Sequence, residues 1–109
     1  MQEIELLSRV RERLLTAGDV QEKRMFGSVA FMVNGTLRLA VGQREGRVMM
    51  VRVDPGEYDE ALAREGASPA VMKARTMRSY LFLTDAAVVD DDDLQWWIEL
   101  ALRSPDSAP

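Results

Sequence analysis

Cysteine and histidine are both absent from the 109 residues. Their absence excludes disulfides, thiolate nucleophiles, ordinary zinc sites and every triad that relies on an imidazole base. The apolar stretches are strand-sized, far short of a membrane-spanning helix, and from Gln2 onward the N-terminus is charged and amphipathic rather than an export signal. A cytoplasmic protein with no membrane partner is expected. Phosphate-binding loops are missing too, because neither Gly42 nor Gly46 is followed by Lys-Ser/Thr. There is no nucleophile elbow and no Ser-x-x-Lys pair. Nothing here supports an enzyme, so no catalytic residue, cofactor or metal is expected.

What remains is ordinary for a single globular domain, with 47% apolar and 29% charged residues. Ile4, Leu7, Val10 and Leu14 recur at helical spacing, with Leu6 and Leu15 beside them, which predicts an amphipathic helix ending near Gly18. Strand patterns follow at about 22–26, 28–33, 37–41 and 47–53, and Asn34-Gly35 marks a hairpin. Tight turns between consecutive strands require antiparallel pairing, since parallel neighbours need long crossovers. Asp54-Pro55 starts a second helix that ends before Gly66, Tyr80 to Thr84 reads as a strand, and Asp90 to Asp93 opens a last helix through Arg103. The stretch 68–78 is open between loop, short helix and edge strand. The expected fold is a two-layer α+β sandwich, with three helices on one face of an antiparallel sheet of five or six strands. Its core should include Leu7, Val10, Leu14, Phe31, Leu39, Val51, Leu62, Leu83, Trp97 and Ile98. Residues 1–103 form the domain and 104–109 a flexible tail.

Two features carry functional expectations. First, the strands are apolar on both faces. Val29, Phe31 and Val33 face one way and Ala30 and Met32 the other, just as Met49 and Val51 oppose Met50 and Arg52. A free solvent face should alternate to polar residues, so Met32, Met50 and Arg52 become candidates for a partner surface, the simplest partner being a second copy. A sheet partly covered by its own segment 68–78 is the plainer reading. Second, charge is segregated. Residues 21–53 hold six basic and two acidic residues, and 68–84 hold three basic residues and no acid, while the remaining segments are net acidic and bring the total to -4. Lys23, Arg24, Lys73, Arg75 and Arg78 are thus candidates for an acidic partner or a nucleic acid. Cations that keep solvated strand edges from aggregating are the alternative, and for Lys23 and Arg24 so are ion pairs with helix acids. Asp90 to Asp93 lack the spaced ligands of a calcium loop, with Gln95 where the loop glycine belongs, and fit a helix N-terminus instead. Trp96 and Trp97 diverge by about 100° on a helix, so one belongs to the core and the other to its rim.

The run Glu22-Lys23-Arg24-Met25-Phe26-Gly27 followed by Val29 to Gly35 resembles the signature of the TfoX/Sxy N-terminal domain family. The resemblance continues through Met50 to Val53, Tyr58 to Ala63, Met77 to Leu83 and the acidic start and Trp of the last helix, covering about residues 4–103. It implies an α+β sandwich similar to the secretion-chaperone type, a fold often used as a dimer. Full-length members regulate competence genes together with the cyclic AMP receptor protein and carry a second, helical domain. The resemblance therefore implies a stand-alone first domain, a non-enzymatic interaction module of regulatory type acting through protein contacts as a homodimer or with another protein. A nucleic-acid or anion binder using a basic sheet-side surface is the second reading.

Overall fold

The computed structural model describes residues 2–25 and 27–105. Helix α1 (Glu3–Arg13) leads into a meander of β1 (Val20–Met25), β2 (Ser28–Val33), β3 (Thr36–Arg44) and β4 (Arg47–Arg52). A 3-10 turn (Pro55–Glu57) runs into α2 (Tyr58–Leu62). The hairpin of β5 (Ala67–Met72) and β6 (Arg75–Leu83) follows, then the short α3 (Asp85–Val88) and α4 (Asp91–Arg103). All neighbouring strands are antiparallel, in the order β1-β2-β3-β4-β6-β5.

This is the expected α+β sandwich, resolved to six strands. The open stretch 68–78 is mostly edge strand and hairpin. Helix α3 was not anticipated, and α1 stops at Arg13, before Gly18. β1 starts two residues earlier than the pattern suggested, and Phe26, expected at its end, lies outside the described residues.

The helices cover one sheet face. Leu6, Leu7, Val10 and Leu14 from α1 and its C-cap meet Phe31, Leu39 and Val41, while Leu94, Trp97, Ile98 and Ala101 from α4 complete the same cluster against Val51 and Leu81. Burying one such side chain contributes about 1.5–3 kcal/mol, and this layer is where most of the stability arises. Nine of the ten expected core residues are buried; Leu62 is only half-buried at the cluster's margin. Helix α1 is rotated so that Leu6 enters the core and Ile4 is 71% exposed. Trp97 is buried while Trp96 stands at the rim, edge-on to it at 4.9 Å, with the Arg64 guanidinium 3.8 Å above its ring.

Ion pairs stitch the helices to one another and to β1. Asp90 caps α4 by accepting from the Asp92 amide at 2.8 Å. Asp91 meets Arg9 at 2.8 Å and Arg13 at 3.1 Å, and Asp93 meets Arg64 at 3.2 Å. The acidic run is thus engaged in capping and pairing. Arg11 binds Glu22 at 2.7 Å and Arg103 binds Glu57 at 2.7 Å. These arginines, donating hydrogen bonds, hold the carboxyls of Glu22, Glu57 and Asp91 below their ordinary range. A depressed folded-state value means stability that is present above the unfolded value and lost as pH falls through the folded one. With no histidine in the chain, Tm should be flat from about pH 6 to 8 and fall below about pH 4.5, less steeply in high salt. A calorimetric pH series checks this, and a step near pH 6.5 would contradict it.

Three hairpins turn on two residues that both have positive φ, the arrangement of type I′ turns: Asn34-Gly35, Glu45-Gly46 and Lys73-Ala74. The last has no glycine, and Ala74 sits at φ 62°. A left-handed alanine costs about 1–2 kcal/mol. Ala74→Gly should therefore raise stability by about 1 kcal/mol, read as a shift in the denaturation midpoint at unchanged slope.

Candidate functional site

Among the described residues no helix lies on the opposite sheet face. Strand alternation places Ala30 and Met32 of β2, Ala40 of β3, Met50 and Arg52 of β4, and Tyr80 and Phe82 of β6 on it. Met50 lies in the middle, flanked by Ala40 and Phe82 as register partners. The two alanines keep the floor low, and larger side chains around them form walls.

One wall comes from the chain itself. Pairing between β5 and β6 jumps from Pro69↔Leu81 to Ala70↔Met77, so residues 78–80 form a bulge in β6, the kind of irregularity that bends a strand. Beyond the bulge, Met72 and Met77 border the same trough as Ala30, Ala40 and Met50, with Met25 of β1 also on its lining. The trough has a volume of about 310 Å³. That is the low end of ligand-site sizes, room for a few apolar groups rather than a large cofactor. Segment 68–78 therefore walls the second face without filling it. Gly42 is required on the trough's lining, since a Cβ there would lie 2.4 Å from the Ser28 hydroxyl and 2.9 Å from its Cα.

The trough opens into a cleft of about 820 Å³ between the β3–β4 turn and the β5–β6 hairpin. Arg44, Arg47, Lys73 and Arg75 border this cleft, with Glu45 the one acid there among the described residues. Arg47 lies 3.7 Å over the Phe82 ring, and burial, together with the neighbouring Arg44, pushes its pKa below the ordinary arginine value. Arg44 and Arg47 are direct register partners, a like-charge pair across a tight turn.

The candidate residues separate into groups. Met50 is at the trough's centre, and Met32 lies on the same face opposite Leu37, half-buried and outside the trough. Arg52 is not at a free surface. It is 9% exposed and donates to the Tyr80 hydroxyl at 2.8 Å and the Pro105 carbonyl at 3.1 Å. Arg38, likewise buried, donates to the Ser104 carbonyl and, at 3.0 Å, to its hydroxyl. The boundary drawn at 103/104 thus falls inside a docked segment, Ser104 being 4% exposed; 106–109 lie outside the described residues.

The five basic candidates do not converge. Lys23 and Arg24 are exposed on edge strand β1, opposite Ala30 and Val29 and so on opposite faces, and neither forms an ion pair among the described residues. It is Glu22 between them and α1 that pairs with the helix layer. Lys73, Arg75 and Arg78 belong to the hairpin at the other edge, with Arg78 in its bulge. Lys73 and Arg75 instead join Arg44 and Arg47, which sequence reasoning did not single out. The methionines at 25, 72 and 77 were also missed, since only the folded chain brings them together. Among the described residues no group of three or more acidic, cysteine or histidine side chains is placed to hold a metal, and no helix is long and apolar enough to cross a membrane.

The family model of the TfoX N-terminal domain aligns with residues 12–104, most of the chain. The chain belongs to the TfoX N-terminal domain family. A crystal structure of a Pseudomonas syringae protein solved as a structural-genomics target is similar to this TfoX domain with a TM-score of 0.60 and 11% identity. The match covers 93% of this chain and 96% of that one, a likeness of fold. No curated protein matches the chain.

Proposed function

We propose that this TfoX domain is a non-enzymatic protein-interaction module that docks its partner on the helix-free face of its sheet, as a regulatory protein of the cytoplasm. The observation that carries the reading is the methionine-lined trough. Methionine is unbranched and polarizable, and surfaces rich in it adapt to apolar groups of varied shape. The carboxylates held in ion pairs, Glu22, Glu57, Asp91 and Asp93, belong to β1 and the helix-side segments and are absent from the trough. Both sheet edges are guarded, β1 by exposed Lys23 and Arg24 and β5 by Pro69, which favours the face over strand addition.

The test uses the chain labelled with ¹³C at its methionine methyl groups and peptides selected against it from a random library. Selected peptides should shift the methyl signals of Met50, Met72 and Met77. Met50→Glu, a change at a half-buried position outside the core cluster, should keep the fold and lower their affinity at least about tenfold, or ~1.4 kcal/mol. Selected peptides that leave these methyls unmoved, or bind Met50→Glu as well as the parent chain, contradict the proposal.

A further inference from the structure

From the trough and the cleft together we infer that the partner segment is an acidic amphipathic one, whose apolar side chains enter the trough and whose carboxylates meet Arg44, Arg47, Lys73 and Arg75. The inference rests on the docking face proposed above and adds the chemistry of its occupant. Four cations surround the cleft against one acid, and among the described residues none of the four forms an ion pair with a carboxylate. On the helix side and its margins, by contrast, Arg9, Arg11, Arg13, Arg64 and Arg103 each have a carboxylate within 3.2 Å. The four cations of the cleft stand together, where the trough opens.

Like charges directly opposed across a hairpin destabilise it, and Arg44 faces Arg47 in register. A carboxylate between them relieves that repulsion, and the Arg47 guanidinium already lies partly desolvated over Phe82, where a charge-assisted hydrogen bond is stronger than in water. A second copy meeting this face in two-fold fashion would bring the two basic clefts together, since an isologous contact uses one patch on both subunits. A nucleic acid would satisfy the cations but leave the methionine trough without apolar contacts. An acidic amphipathic segment answers both halves of the surface at once, as helix-in-groove recognition does elsewhere.

The experiment uses three synthetic helical peptides with one shared leucine and phenylalanine stripe, flanked by glutamate, glutamine or lysine. Each is titrated into the full methionine-labelled chain at 50 mM and 500 mM salt. At 50 mM salt the glutamate peptide should bind roughly tenfold tighter than the glutamine one, as four partly exposed charge contacts predict. The lysine peptide should bind weakest, and the order should compress at 500 mM. In the double variant Arg44→Glu, Arg47→Glu the order of glutamate and lysine peptides should reverse, a gain of binding that misfolding cannot produce. Equal affinities of the glutamate and glutamine peptides, with the Met50 methyl shifted, would overturn the acidic partner and leave the docking face standing. No methyl shift with any peptide would overturn both. A chain that sediments as a dimer, reverting to monomer on Met50→Glu, would give the face to a second copy. A random DNA duplex whose affinity falls steeply with salt and vanishes in the double variant would give the cleft to nucleic acid. Either result overturns the inference.

Discussion

Trp97→Ala is expected to cost about 3–5 kcal/mol, the range for removing a large aromatic side chain from a packed interior. Trp97 is 1% exposed, the largest fully buried side chain, and lies in the layer where α4 meets the sheet. Collapse around the vacated volume is limited, because its neighbours are themselves held in strands and in α1. Domains of this kind are stable by only ~5–15 kcal/mol, so the variant should sit near the edge of folding, with Tm lowered on the order of 15 °C. Trp96→Ala is the internal comparison. Its ring is half-buried under Arg64, so it should cost distinctly less. Equal losses at the two positions would mean that the layer is packed otherwise than described.

Gly66→Ala is the second large effect, and its size comes from two separate causes. The backbone there has φ +84°, which costs a side chain about 1–2 kcal/mol. A Cβ would also stand 2.6 Å from the backbone nitrogen of Ala87 and 2.8 Å from its Cβ. Those atoms belong to α3, and the Gly66 carbonyl accepts the Thr84 amide at 2.9 Å, so neither side moves away cheaply. We expect a loss of about 3 kcal/mol or more, of the size reached by overpacking and strain together. Gly46→Ala separates the causes. It has nearly the same angle, φ +86°, and nothing within 4 Å of the added methyl, so it should lose only the conformational part. Denaturant midpoints of the two variants measure the difference. If they coincide, the close approach of Gly66 to α3 is not a constraint.

These two positions mark how far the sequence could be read. Trp97 shares a helical stripe with Leu94, Ile98 and Ala101, and a 3.6-residue period reports which side of a helix is buried whatever it packs against. The Asn34-Gly35 turn, the alternation through Val29, Phe31 and Val33, and the Asp90 cap are legible for the same reason, since each depends on residues adjacent in the chain. Gly66 carries no such mark. A glycine near a helix end reads as punctuation, and that its α-hydrogen faces Ala87 depends on where α3, itself unforeseen, comes to rest. Helix α1 shows the intermediate case. Its apolar stripe was broad enough to admit either Ile4 or Leu6, and only packing against the sheet chose Leu6.

The candidate site divides along the same line. That the second face is apolar, with Met50 on it, followed from period-two alternation. Arg52 shares that parity, yet it is buried against Tyr80 and Pro105, because residues 104 and 105 after α4 come back to the strands. Val48 departs from alternation and joins the helix-side cluster, since the β3–β4 register shifts between Val41 and Arg44. The basic residues show it most clearly. Their segregation into the strands was countable, but Lys23 and Lys73 were grouped by charge alone, and the strand order sends β1 and β5 to opposite edges.

By itself, then, the sequence determined the fold class, the helical core stripes, the turns and an apolar second face, all of which arise from interactions of short reach along the chain. Only the tertiary structure decided that the β5–β6 hairpin brings Met72 and Met77 beside Met50, and Lys73 and Arg75 beside Arg44 and Arg47. The bulge at 78–80 does this, and its position follows from pairing between strands rather than from the residues within it, so no local pattern announces it.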